Sequence, residues 1–405
     1  MLGLPLKEPM ATSIIRLKRS PVWYKALPFL LIGLIGNLLW TLRYVQASPL
    51  PMPAVTGPLT SLAPFRFRAG PLGQLDITGL MSGFGAWQDH PVPGDRSFRS
   101  NISNAQVFIQ KTHGWIQFFL QAGAYNLPAL GTPFISTGKT VSEYYGALPQ
   151  AFLKIIPSRN FSIQAGKLPT LIGAEYTFTF ENMNIERGLL WNQENAIERG
   201  VQFNYSVGPL AASLQWGDGF YSNRYNWVSG ELSYTINPVS SLSFVAMGHV
   251  GQTDYSGPAT PLDQNNSDLY SVVYTYSSRS WIIQPYFQYT SVSRDLSIGV
   301  SRGTSTRGVA LLASNRIAPG FFLAARVEYI TSTGNVRNGA ADLLYGPGSR
   351  AWSMTLTPTW QNGAFFARAE FSFVRVLDGV PGDIFGPHGD SANQARILFE
   401  TGFMF

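Results

Sequence analysis

Residues 168–198 concentrate ionisable chemistry. They hold five glutamates, Glu175, Glu181, Glu186, Glu194 and Glu198, against one basic residue, Arg187. Carboxylates gathered without cysteine or histidine suit electrostatic selection of ions better than bond-making, because fixed charge at a narrow place favours one sign of solute. A second set recurs at short spacing: Arg326 with Glu328, Arg368 with Glu370, and Arg396 with Glu400. On an extended chain these spacings place each pair on one side. There they pair with each other or with groups facing them.

Catalytic chemistry finds little support. The four histidines are His90, His113, His249 and His388. Three fall in loops or a turn, and His249 is followed at i+2 by Gly251, so no serine–histidine pair shares a strand face. The chain has no cysteine, hence no thiol nucleophile, disulfide or thiolate metal site. No metal-ligand spacing is present, and LDQNNSD at 262–268 reads as a polar loop rather than a cation loop. Without a glycine-rich phosphate loop, no energy source is encoded. No enzyme, cofactor or metal is expected.

The elements that must carry these charges show in the composition. Charged residues are 13% of the 405, about half the usual ~25%, yet after the first 50 residues no apolar run is long enough for a membrane helix. Such a chain is half apolar and half polar on alternate residues. The formal charge of +6 belongs mainly to residues 1–47, which carry six basic residues and one acid; the rest has 23 basic and 22 acidic. A nucleic-acid partner therefore has no support. Residues 1–47 read as a signal peptide: RLKRS and Lys25 precede the apolar ALPFLLIGLIGNLLW, and VQA at 45–47 offers a cut after Ala47. Met1 and Met10 both remain candidate starts, and an uncleaved anchor is the competing reading. Residues 48–70 are Pro-rich and read as a periplasmic linker, too short for a plug domain.

Beyond residue 70 the period is two. In AFFARAEFSFV, Phe365, Ala367, Ala369, Phe371 and Phe373 oppose Phe366, Arg368, Glu370 and Ser372. In FFLAARVEY, Leu323, Ala325, Val327 and Tyr329 oppose Phe322, Ala324, Arg326 and Glu328. Strands are expected near 73–84, 102–112, 114–125, 146–156, 161–167, 199–206, 210–217, 227–236, 241–250, 268–276, 281–292, 305–313, 320–330, 350–361, 364–374 and 392–405. The links between them alternate long and short, with 168–198 the longest. That pattern predicts an all-β fold: a transmembrane, up-and-down antiparallel β-barrel of about 16 strands over 71–405, with long extracellular loops and short periplasmic turns. A soluble sandwich or β-helix would bury the apolar faces and show more surface charge. Sixteen strands leave an aqueous bore, whose wall would include Asp76, Gln106, Gln121, Gln202, Arg326, Glu328, Arg368, Glu370, Arg396 and Glu400.

Two stretches carry a resemblance. The closing ILFETGFMF, 397–405, places Phe405, Phe403, Phe399 and Ile397 on one face and is similar to the terminal signature of outer-membrane barrels, with Thr401 as the departure. The resemblance implies that Phe405 and Phe403 are an assembly signal read by the barrel-assembly machinery. Residues 164–208, QAGKLPTLIGAEYTFTFENMNIERGLLWNQENAIERGVQFNYSVG, resemble the OmpL-like putative beta-barrel porins. The matching positions are Gly166, Lys167, Ile172, Gly173, Glu175, Asn182, Arg187, Leu189, Leu190 and Gly200.

That resemblance implies a porin in the outer membrane of a Gram-negative bacterium, bathed by outer-membrane lipid and passing small hydrophilic solutes and ions by passive diffusion. By likeness to general porins, 168–198 would fold inward and constrict the pore, and a homotrimer is left open. Phe178, Phe180, Leu189, Leu190 and Trp191 give that loop a surface to pack with. Its acids would then face Arg326, Arg368 or Arg396 across the lumen in a transverse field. A solvated surface loop is the other reading of 168–198. A non-conducting adhesin or structural surface protein is the other reading of the barrel.

Overall fold

Alternation along the chain is realised as a closed sheet. The computed structural model describes residues 58–405 apart from Ser61 and Ile172. The leader assigned to 1–47 lies outside the described residues, as does the linker up to residue 57.

A short strand β1 (Phe65–Arg68) precedes the barrel. The first half of the wall is β2 (Gln74–Gln88), β3 (Phe98–Lys111), β4 (Ile116–Tyr125), β5 (Gln150–Ser158), β6 (Phe161–Pro169), β7 (Ile197–Val207), β8 (Leu210–Gly217) and β9 (Trp227–Asn237). The second half is β10 (Ser240–His249), β11 (Ser267–Ser277), β12 (Trp281–Val292), β13 (Thr304–Ala318), β14 (Phe321–Ser332), β15 (Arg350–Asn362), β16 (Phe365–Leu377) and β17 (Asn393–Met404). Each strand of β2–β17 pairs antiparallel with its neighbours in sequence, and β17 returns to β2 from Arg396↔Gln88 to Met404↔Leu80. Closure satisfies every edge, which an apolar surrounding demands. Strands of 8 to 15 residues bracket the roughly 9–11 that a tilted strand needs to cross hydrocarbon.

The two faces are separated as the period predicts. Phe399 is 55% exposed on the outside while Glu400, its neighbour, is fully buried inside. Met354, Leu356, Val327 and Phe371 are likewise outward and exposed. Long and short links alternate around the barrel, so the long links gather at one end.

Two departures from the sequence reading have local causes. The segment 126–149 contains a helix, α1 (Thr137–Glu143). Gly146, at φ 73°, donates to the Val141 carbonyl and closes it, and β5 starts at Gln150 rather than near 146. The segment read as a Pro-rich linker places Phe65–Arg68 on the edge of β2 in the register Phe65↔Ile77 to Arg68↔Gln74. That is in line with and just beyond Phe405, whose amide and carbonyl bond Gly79 at 2.9 and 2.8 Å. The alternating Phe-Arg-Phe-Arg suits a strand, and β17 ends before it covers all of β2. Upstream, Leu59 is buried with Leu80, Phe366 and Met404 inside the short-turn mouth. Thr60 exchanges two hydrogen bonds with the Gln361 amide, at 2.7 and 2.9 Å.

Candidate functional site

The lumen wall is not uniformly polar. Leu80, Phe108, Phe119, Phe366 and Met404 fall on the inward phase and form an apolar sector. Against it lies the segment between β6 and β7. Its Phe178 and Phe180 stack at 5.9 Å, Phe178 meets Tyr125 edge-on at 5.3 Å, and Phe180 meets Phe108 at 5.6 Å. Leu189 and Leu190 join a second cluster with Ala310, Leu312, Ala324 and Ile330. Burial of one such side chain favours the inward position by about 1.5–3 kcal/mol as an upper bound. Trp191 is half-buried. Local compactness matters too: a Cβ on Gly188 would sit 2.2 Å from Glu328 Oε1, and one on Gly308 would sit 2.8 Å from Leu190. Bare backbone at these two points lets loop and wall touch.

Hydrogen bonds fix the loop further. Its amides and carbonyls have left any sheet ladder and need partners where water is excluded. Wall arginines supply donors. Arg326 Nη1 donates to Glu175 Oε1 at 2.5 Å and to the Glu186 carbonyl at 2.7 Å. Arg368 donates to the carbonyls of Thr179, Asn182 and Met183, each at 2.9 Å. Arg396 donates to Glu186 Oε1 at 2.7 Å and to the Ala129 carbonyl at 2.9 Å. Wall glutamates supply acceptors. Glu328 takes the amides of Leu189 and Leu190 at 3.0 and 3.2 Å, and Glu370 takes those of Ile185 and Glu186 at 2.5 and 3.0 Å. Glu400 accepts from Thr179 at 3.0 Å and pairs with Arg368 at 3.4 Å. The sequence reading set Arg326, Arg368 and Arg396 across open lumen from the acids; in the structure they touch the loop directly.

The five loop acids accordingly divide. Glu175 and Glu186 are bonded to wall arginines. Glu181 takes its own loop's Phe178 amide at 2.9 Å. Glu194 accepts the Tyr286 hydroxyl at 2.7 Å, and Glu198, at the start of β7, accepts the Gly219 amide at 3.1 Å. Arg187 is fully buried, and none of its side-chain nitrogens has a hydrogen-bond acceptor. Its guanidinium lies 4.6 Å from the Trp191 ring centre, a contact that offsets part of the desolvation cost. Phe405 and Phe403 are both exposed on the outer face.

A second inward segment escaped the sequence reading. Residues 126–135 contact the loop through Leu130 N–H to the Arg187 carbonyl at 2.9 Å and Arg187 N–H to the Pro128 carbonyl at 3.2 Å. Leu130 is buried in the same cluster as Leu189 and Leu190. The available signal was its composition, Leu-Pro-Ala-Leu-Gly-Thr-Pro-Phe-Ile, too apolar for a solvated loop.

Most of these contacts hold the loop to the β13–β17 and β2–β3 side, with Tyr286 and Gln288 of β12 adding bonds to Glu194 and to the Leu190 carbonyl, the latter at 2.9 Å. Toward β9–β12 a cavity of about 230 Å³ remains. Loop residues Glu175, Glu181, Trp191 and Glu194 line it on one side, Glu231, Ser243, Thr275 and Gln284 on the other, and no lysine or arginine does. Burial pushes the Glu181 and Glu194 carboxyls up to about 8. Among the described residues, no group of three His, Cys, Asp or Glu side chains is placed to hold a metal ion.

Comparison with known proteins agrees with this architecture. The chain is similar in fold to the outer-membrane channel DcaP of Acinetobacter baumannii (TM-score 0.57, 10% identity, 85% of this chain and 100% of that one). It is also similar to in-vitro folded OmpT of Vibrio cholerae in its trimer form (TM-score 0.51, 11% identity, 81% and 99%). A third similar structure is Salmonella typhi OmpF in complex with daunomycin (TM-score 0.53, 15% identity, 82% and 98%). No curated protein matches the chain in sequence. The profile of the family described as putative beta-barrel porin-2, OmpL-like, matches residues 74–405. The match spans the whole sixteen-strand wall together with its inward loop, and the chain belongs to that family of outer-membrane β-barrel porins.

Proposed function

We propose that the protein is a diffusion porin whose path is the eccentric gap between the inward loop and β9–β12. The observation that supports this most is the uneven anchoring of the loop. Its ion pairs and most of its hydrogen bonds are to β13–β17 and β2–β3; β12 holds it through Tyr286 and Gln288, and acid-lined space remains beside Glu231, Ser243, Thr275 and Gln284. Small hydrophilic solutes and ions cross without an energy source, in an orientation with the long loops extracellular and the short turns periplasmic. Seven glutamates (Glu175, Glu181, Glu186, Glu194, Glu328, Glu370, Glu400) meet four arginines (Arg187, Arg326, Arg368, Arg396) in and under the loop, so the constriction favours cations, the more so above about pH 8, where Glu181 and Glu194 ionise. Barrel assembly is directed by the terminal strand ending at Phe405, and the working unit is a homotrimer, the form of one similar OmpT structure.

Planar-bilayer recording of purified, refolded protein tests the function. Resolved conductance steps with cation preference are expected. Absence of steps from folded barrels favours the adhesin or structural alternative.

A further inference from the structure

We propose that the cavity between the inward loop and β9–β12 is a binding site for organic ammonium solutes, so that small amines are the porin's preferred permeants. This rests on the porin reading and names the solute class for the same path.

Two acceptors in the lining await donors. Glu194 is 6% exposed; its Oε1 is occupied by the Tyr286 hydroxyl, but Oε2 has no partner. The adjacent Asn195, also buried and part of the lining, leaves its Oδ1 without a donor. A buried acceptor without a donor keeps its desolvation cost uncompensated, and a bound N–H group offsets it. Glu231 supplies a carboxylate from the wall side of the cavity, and no fixed cation competes there.

The chemistry of the occupant follows from what is absent and what is present. With no three-carboxylate arrangement among the described residues, a bare divalent metal ion finds no chelating set. An ammonium carries up to three N–H donors and suits acceptors that are spread out. Trp191 and Tyr176 also line the cavity, and aromatic rings favour ammonium over hydrated metal. At about 230 Å³ the space is several times the ~30 Å³ share of one water, enough for a short aliphatic amine.

Isothermal titration calorimetry at pH 9, where Glu194 is ionised, on detergent-refolded full-length protein tests this, with putrescine as probe and 1,4-butanediol and Mg²⁺ as controls. Putrescine should bind at least tenfold more tightly than either control. Glu194→Gln and, separately, Glu231→Gln should each weaken it about tenfold while the β-sheet circular dichroism is unchanged. Equal binding of putrescine and butanediol, or of putrescine to wild type and both variants, overturns the site. Bilayer recording separates the two readings. Conductance steps without amine binding defeat the site and leave the porin standing. Amine binding without steps keeps the site and defeats the porin.

Discussion

Arg326 on β14 and Glu175 in the inward loop meet at 2.5 Å with both side chains out of solvent, 151 positions apart in the chain. The same guanidinium lies 3.3 Å from Glu328, which in turn receives two loop amides. One wall pair thus holds both a carboxylate and the backbone of the loop.

Removing that guanidinium strands two buried carboxylates. Breaking one partner of a buried pair costs about 3–5 kcal/mol, so Arg326→Ala should detach this part of the loop while the barrel persists. Single-channel conductance should rise and its open-state noise increase. An unchanged conductance with intact β-sheet dichroism would show that the loop does not bound the path.

The acids should separate into two classes by substitution. At pH 9, Glu194→Gln combined with Glu231→Gln removes charge from the open path and should lower the cation/anion permeability ratio severalfold, read from reversal potentials in a KCl gradient. Glu186→Gln removes a charge bonded to Arg396 and should leave that ratio near wild type while lowering the barrel's melting temperature. The reverse ranking would place the path on the other side of the loop.

Selectivity should depend on pH with a defined sign. Glu181 and Glu194 are pushed up to about 8 by burial, and a carboxyl is neutral below its pKa and negative above it. Glu181 faces the Phe178 amide and Arg187, and Glu194 faces the Tyr286 hydroxyl with Glu175 and Glu328 nearby. Raising the pH from 6.5 to 9 therefore adds negative charge to the path, and the cation/anion ratio should climb through that window. Glu181→Gln with Glu194→Gln should flatten the profile; a profile that persists in the double variant assigns the titration elsewhere.

Deleting Phe405 removes two backbone hydrogen bonds to Gly79 and an outward aromatic. Net loss for two such bonds is about 1–3 kcal/mol, tolerable for a barrel this size. Surface-assembled protein, measured by heat-modifiable mobility of outer-membrane fractions, should fall sharply, while barrels that do form should conduct as wild type. Normal assembly levels would remove the terminal strand as an assembly signal.

The sequence by itself determined the strands and their faces. Side-chain direction in a strand alternates residue by residue, so Phe399 outward beside Glu400 inward, or Phe365 outward beside Phe366 inward, follows from neighbours alone. The alternating link lengths likewise gave sixteen strands and closure. Tertiary structure decided where the loops go. Whether Glu175 meets Arg326 depends on which wall face the loop packs against, and that depends on Phe178 and Phe180 finding Phe108 and Tyr125, Leu190 finding Gly308, and Leu130 from another loop completing the cluster. No local period encodes those encounters. The same holds for function: the sequence supplied five loop glutamates of equal standing. Only the folded lumen separates Glu175 and Glu186, spent on arginines, from Glu194, whose second oxygen still lacks a donor in the acid-lined gap.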